Sequence, residues 1–195
     1  MRSTASGRYN GVAMTLHWLI AILLVGNILL AWYFNTLTGL PKIPPIQVHK
    51  SIGVTVLLLS LVRLGWRLAV PPPPLPPSIE GWSRFAAGAV YVLFYLVMIG
   101  MPLSGWALSS ASVIIRFKPI LLFGAIPWPT ITALSHLPPA PMKQAHEAFV
   151  AVHGLLAKLA YALIVLHVAA ALRHLLLLRD GVMGRMVPFL RAPAA

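Results

Sequence analysis

Four apolar runs of about twenty residues, separated by Pro-rich or polar breaks, constrain this chain more than any other feature. They cover roughly residues 14–34, 49–68, 87–108 and 148–172. At 1.5 Å per residue, a helix of that length crosses about 30 Å of hydrocarbon. The predicted fold is therefore an all-α membrane protein, a four-transmembrane-helix bundle forming one domain over residues 1–195. Composition agrees, because 59% of residues are apolar and 9% charged, too few charges to clothe a water-soluble domain. Pro102 falls inside the third run and predicts a kink that neighbouring helices can absorb.

The connections differ in character. Residues 35–48 form a short loop with Pro41, Pro44 and Pro45, and a PPPPLPP stretch from Pro71 forms a stiff spacer before the third run. Residues 109–147 form a long loop containing Pro119, Pro127, Pro129, Pro138, Pro139 and Pro141. Its apolar part, residues 120–134, is broken by proline and is expected to lie in the membrane interface. No internal repeat is visible. The first run opens with His17 and Trp18 and has no small-x-small site before Asn35, so a retained helix is expected rather than a signal peptide.

The net charge of +12 is not that of a nucleic-acid binder, because the cations sit singly or in pairs at the ends of apolar runs. Arg2, Arg8, Arg63, Arg67, Arg84, Arg173, Arg179, Arg185 and Arg191 flank the N-terminus, second connection and tail (residues 173–195). Lys42, Lys50, Arg116, Lys118 and Lys143 flank the other side. Nine against five predicts cytoplasmic termini in a multi-pass inner-membrane protein. The acids are Glu80, Glu147 and Asp180, and cysteine is absent, so a metal would have to be held by histidine.

Seven histidines are present: His17, His49, His136, His146, His153, His167 and His174. An ionisable side chain within a span is costly and points to function. Fourteen residues separate His153 from His167, which is nearly four helical turns, so both leave one face about 21 Å apart. His153 then matches His49 in depth, and His167 matches His17. Two such pairs across a bundle suit two six-coordinate haems, each iron taking an imidazole from either side. With both axial positions filled, such centres favour electron transfer over oxygen binding. Spacing alone leaves two other readings standing, hydrogen-bonded packing histidines and a histidine-based metal or proton transporter. The latter lacks the Asp or Glu that cation pathways add within spans. His146, seven residues before His153, lies near the same face and competes with it.

At these residues the chain resembles the bacterial cytochrome b561 family, related to the b-type subunits of nickel hydrogenases, over about residues 8–188. The elements that carry the resemblance are RYNGVAMTLHWLIAILL with His17, and VHKSIGVTVLLLSLVRLGWRL with His49-Lys50. PLSGW from Pro102, HGLLAKLAYALIVLHVAAALRH and RDGVMGRMVP complete the series. The resemblance implies two haem b groups, ligated by His17 with His167 and by His49 with His153, and electron exchange with ubiquinone. Some members are similar to superoxide oxidases, in which superoxide is the donor. A b-type subunit serving a separate redox protein is the alternative within the family. Two departures are visible: Tyr91, four residues before Tyr95, stands where many members have His, and His174-Leu175 stands where many have a His pair.

Further residues attract roles by position. His174, two turns after His167, is expected to hydrogen-bond a quinone. Arg8, Lys50, Lys158 and Arg173 are candidates to pair with haem propionates, whereas Arg63 and Arg67 are expected to set topology and contact lipid phosphates. Lys42, Arg116, Lys118 and Lys143 could draw in a small anion such as superoxide. Trp18, Trp32, Trp66, Trp82 and Trp106 fall where aromatic belts belong, and Trp18 could also pack on haem. Membrane lipid, quinone and either superoxide or a redox protein are the expected partners, with homo-oligomerisation open.

Overall fold

The computed structural model describes residues 7–74 and 81–190. Arg2, Glu80, Arg191 and the second half of the proline stretch lie outside those residues, as does the side chain of Arg116. Four long helices form the bundle: α1 (Gly11–Asn35), α2 (Ile43–Ala69), α3 (Gly81–Ser110) and α5 (Pro139–Arg173). A four-residue α4 (Thr132–Ser135) precedes α5, and a π-turn (His174–Leu178) extends it. All four long helices are apolar enough to span a membrane. Much of their apolar surface is exposed, as with Ile22, Leu29, Leu96, Leu155 and Val165, the arrangement expected where lipid is the solvent.

All four helices start earlier than hydropathy predicts, α1 by three residues and the others by six or more. Pro44 and Pro45 fall in the first turn of α2, and Pro139 and Pro141 in the first turn of α5. Proline there loses only an N–H that has no helical partner, so it starts a helix where a loop was expected. His49 consequently sits in the second turn of α2, and α5 reaches nine residues into the expected outer loop, from residue 139 rather than 148. The early start of α3 is different, since its residues before 87 are mostly polar, small or aromatic and low in hydropathy.

Around the bundle, α1 packs on α2, α2 on α3 and α3 on α5, while the seam between α5 and α1 stays open. The indole of Trp32 crosses it by donating to Tyr161 Oη at 3.2 Å. One core cluster joins Ile20, Val56, Tyr95 and Met98 of α1, α2 and α3, and a second joins Val97 of α3 to Ala160 and Leu163 of α5.

The long connection does not lie flat. Strands β1 (Leu121–Leu122) and β2 (Ile126–Pro127) pair antiparallel, turning through Phe123 and Gly124 at φ 51° and 76°. Ile120 and Leu122 bury against Val54 of α2, and the Phe123 N–H donates to Ser51 Oγ at 2.8 Å. The apolar stretch assigned to the interface is therefore a hairpin that folds back over one end of the bundle, the loop end.

The segment before α1 and the segment after α5 meet at the opposite, tail end, where Tyr9 N donates to Arg185 O at 3.2 Å. Several tryptophans pin segments there and elsewhere rather than merely lining a belt. Trp18 Nε1 donates to Met186 O at 2.8 Å, Trp66 Nε1 to Asn10 Oδ1 at 3.2 Å and Trp106 Nε1 to Pro129 O at 2.7 Å.

Candidate functional site

Each of the two α5 histidines meets an imidazole from another helix. His167 faces His17 of α1 with ring centroids 6.1 Å apart, and His153 faces His49 of α2 at 6.3 Å. Two imidazoles on opposite sides of one metal, with bonds of about 2 Å and ring centres about 1 Å beyond, sit roughly 6 Å apart. An edge-to-face aromatic contact covers the same range, so the other ring nitrogen is what separates the two cases.

At the loop-end pair that nitrogen is committed. His49 Nδ1–H donates to Asn27 O at 3.3 Å, and His153 Nδ1–H to Ser104 Oγ at 3.0 Å and Met101 O at 3.2 Å. The Ser104 hydroxyl meanwhile donates to Met101 O at 2.7 Å. Carbonyl oxygens only accept, so Nδ1 holds the proton and Nε2 keeps its lone pair for a metal. Such a second bond is the usual companion of a metal-ligating histidine. Phe34 lies against His49 at 5.3 Å and Phe94 against His167 at 5.4 Å, giving each pair an aromatic neighbour. The ring spacing and the open α5–α1 seam fit a haem at each pair, and among the described residues the second ring-nitrogen bond is present at the loop-end pair alone.

The PLSGW segment gains a role in the same place. Ser104 orients His153, and Gly105 makes room for it, since a Cβ there would stand 3.2 Å from His153 Cε1. Gly105→Ala is expected to displace the ring by a few tenths of an ångström and weaken haem retention at this pair by at least tenfold. Titrating haem into the apoprotein checks it, and an unchanged affinity would show that α3 gives way instead.

His146 does not reach His49. Its Nδ1 donates to Leu108 O at 2.8 Å, tying the start of α5 to the end of α3. His146→Ala is expected to keep its full haem complement by pyridine haemochrome, and loss of one haem would reverse the assignment.

The other sequence-nominated residues divide. Lys50 is half-buried beside His49 and keeps its candidacy. Lys158 and Arg173 are exposed, turned about 140° from His153 and about 120° from His167 at 100° per residue, away from the ligand face. Arg8 is engaged by the tail, donating to Pro188 O at 2.7 Å and to Leu190 O. Arg63 and Arg67, expected to face lipid phosphates, instead turn inward and line a cavity with Tyr95 and Trp66.

At the loop end, Lys42 stacks over Phe34 at 5.8 Å, and exposed Lys143 pairs loosely with Glu147 at 3.9 Å. His174 Nδ1 bonds Asp180 Oδ2 at 2.6 Å, and Asp180 Oδ1 accepts from Val182 N at 3.2 Å. A cavity of about 200 Å³ adjoins that pair, lined also by Arg179, Gly181 and Leu190. Asp180 had no assigned role in the sequence; six residues after His174, it is reached only because Arg179 and Gly181 adopt left-handed conformations and reverse the chain.

The family model for prokaryotic cytochrome b561 matches residues 8–189. Cytochrome b561 homolog 2 of Escherichia coli K12 is 32% identical over 184 residues, covering 92% of this chain and 91% of that one. The probable superoxide oxidase CybB of Yersinia pestis is 29% identical over 185 residues, covering 93% and 96%. Cytochrome b561 homolog 1 of Escherichia coli K12 is 28% identical over 142 residues, covering 73% and 74%. With four spanning helices and a match over nearly its whole length, this chain belongs to the prokaryotic cytochrome b561 family, b-type electron-transfer cytochromes that cross the bacterial inner membrane several times.

Proposed function

We propose that this chain carries two haem b groups, one between His49 and His153 and one between His17 and His167, and conducts electrons between the loop end and the tail end. The observation that supports this reading most is the pair of imidazole couples at 6.1 and 6.3 Å, at the two ends of one helix face. Bound haem supplies one-electron carriage, and the protein's part is to hold the rings, exclude water and fix the direction. The charge count supports placing the tail end in the cytoplasm.

Ubiquinone is the proposed acceptor and superoxide the proposed donor, the latter because one relative is named a probable superoxide oxidase. Two superoxide anions give two oxygen molecules and two electrons, which with two protons convert ubiquinone to ubiquinol. Lys42, Lys118 and Lys143 supply a positive approach at the loop end. His174 is the proposed donor to a quinone carbonyl at the tail end, a role supported by its bond to Asp180, which would steady it as a proton source.

Proteoliposomes containing ubiquinone and a superoxide source test this. The expected result is superoxide-dependent ubiquinol formation whose rate falls as salt is raised. His174→Ala is expected to slow quinone reduction at least tenfold with normal haem spectra. Haem that stays oxidised under superoxide flux would discard the donor and direct the search to a redox protein.

A further inference from the structure

At the tail end α1, α2 and α3 enclose a cavity of about 470 Å³, walled by Arg8, Arg63, Arg67, Trp66, Tyr95 and the start of the proline stretch. Three guanidiniums line it and, among the described residues, no carboxylate does. The chain has three acids. Asp180 is bonded to His174, Glu147 lies at the loop end, and Glu80 lies outside the described residues. Two of the arginines have partners of their own. Arg8 holds the tail carbonyls, and Arg67 stacks on Tyr91 with its guanidinium 3.8 Å from the ring centre. Neither ion pair among the described residues involves Arg63. A second orphan faces the same space, because the Tyr95 hydroxyl is buried and has no hydrogen-bond partner among the described residues.

The cavity adjoins the tail-end imidazoles. Ala13, which lines it, precedes His17 by one turn on the same face, and Tyr95 follows Phe94, whose ring touches that of His167. A cation and a buried hydroxyl left unmatched at the edge of hydrocarbon are costly unless an anion meets them. A haem brings two carboxylates that are equally costly in hydrocarbon, and Arg63, in neither ion pair among the described residues, lines the cavity beside this pair of imidazoles.

On the di-haem reading, we infer that Arg63, with Arg67 and the Tyr95 hydroxyl, binds the carboxylates of the haem held by His17 and His167. Arg63 thereby orients that haem and raises its reduction potential, because a nearby positive charge favours the form that has gained an electron. The role falls to two arginines that α2 presents one turn apart, and not to Lys158 or Arg173 on α5.

Redox titration of the purified di-haem protein in lipid vesicles tests the inference. In Arg63→Gln the haem held by His17 and His167 is expected to shift at least tenfold toward the oxidised form, about 59 mV for one electron. The other haem should stay within twofold. Selective loss of the His17–His167 haem would support the same site. Arg63→Lys should restore most of the potential, and Tyr95→Phe should give a smaller shift of the same sign. In His167→Ala, which is expected to keep only the His49–His153 haem, adding Arg63→Gln should change nothing. The inference is overturned if Arg63→Gln moves neither potential, moves both alike, or moves the haem that remains in His167→Ala. It is also overturned if the wild-type potential depends on anionic lipid and Arg63→Gln abolishes that dependence, since a lipid phosphate would then occupy the cavity. Two haems remaining in His167→Ala would instead contradict the ligand assignment on which the inference rests.

Discussion

On the di-haem proposal, His49→Ala and His167→Ala are each expected to retain one of the two haems, and neither should pass electrons from one end of the bundle to the other. On the proposed reading the two ligands of each iron would come from different helices, α2 with α5 and α1 with α5, so removing either would leave a single axial bond. Removing both members of one couple should therefore cost no more haem than removing one. Removing one member of each couple should remove both haems. This pattern of non-additivity within a couple and additivity between couples is the signature of the pairing. The two proposed centres would lie about 21 Å apart along α5, so loss of either would open a gap in the path and the transmembrane rate should fall by several orders of magnitude. Pyridine haemochrome quantitation and vesicle assays with a donor confined to one side measure both effects. If His17→Ala and His49→Ala lost the same haem, the pairing would be wrong even with two haems in the parent.

The second large effect is expected at Arg185, far from the imidazoles. It is 5% exposed, and its Nη2 donates to Pro73 O at 2.7 Å and to Pro74 O at 2.8 Å. Burial pushes the guanidinium below its ordinary value, but arginine remains charged, so both bonds are charge-assisted. Its carbonyl also receives Tyr9 N, and its neighbour Met186 receives Trp18 Nε1. One residue thus gathers the N-terminus, the proline stretch and the tail into a single cap over the tail end. Hydrogen bonds to charged groups contribute about 1.5–3 kcal/mol. Arg185→Ala is therefore expected to destabilise the protein by about 3 kcal/mol, a fall in Tm of roughly 6–12 °C. Lysine, a shorter and more strongly hydrated cation that would have to shed its water to reach the two buried carbonyls, should recover less than half. Thermal unfolding in detergent measures it, and a loss below about 1 kcal/mol would mean that the cap is held by the tryptophan and Arg8 contacts instead.

The membrane class and the four spans are written in hydropathy, because a lipid-facing helix must be apolar over its whole circumference and length. The matched depths of the histidines are equally legible, since they follow from the rise and twist of a single helix. The helix starts were misjudged for a definite reason. Proline reads as a breaker in a one-dimensional scan, yet Pro44, Pro45, Pro139 and Pro141 occupy first turns where a breaker breaks nothing. Spacing alone left His146 competing with His153 as the partner of His49, although the resemblance implied His153. His146 and His153 share a face, and only the packing of α5 on α3 sends one to Leu108 O and the other to Ser104 and the opposing imidazole.

Charge was the least legible feature. Arg63 and Arg67 look like topology determinants because they stand at the end of an apolar run, but helix rotation decides whether such residues face headgroups or the bundle. That rotation is set by side-chain packing among Ile20, Val56, Tyr95 and Met98. Lys158 and Arg173 stand close in sequence to the α5 histidines, but rotation about α5 turns them away from the face that carries His153 and His167. Sequence alone determined the solvent, the number of spans and the residue types able to hold a metal, because these depend on composition and on distance along one helix. The tertiary structure decided which side chains share a space, because the angle of each helix about its own axis is fixed only by its neighbours.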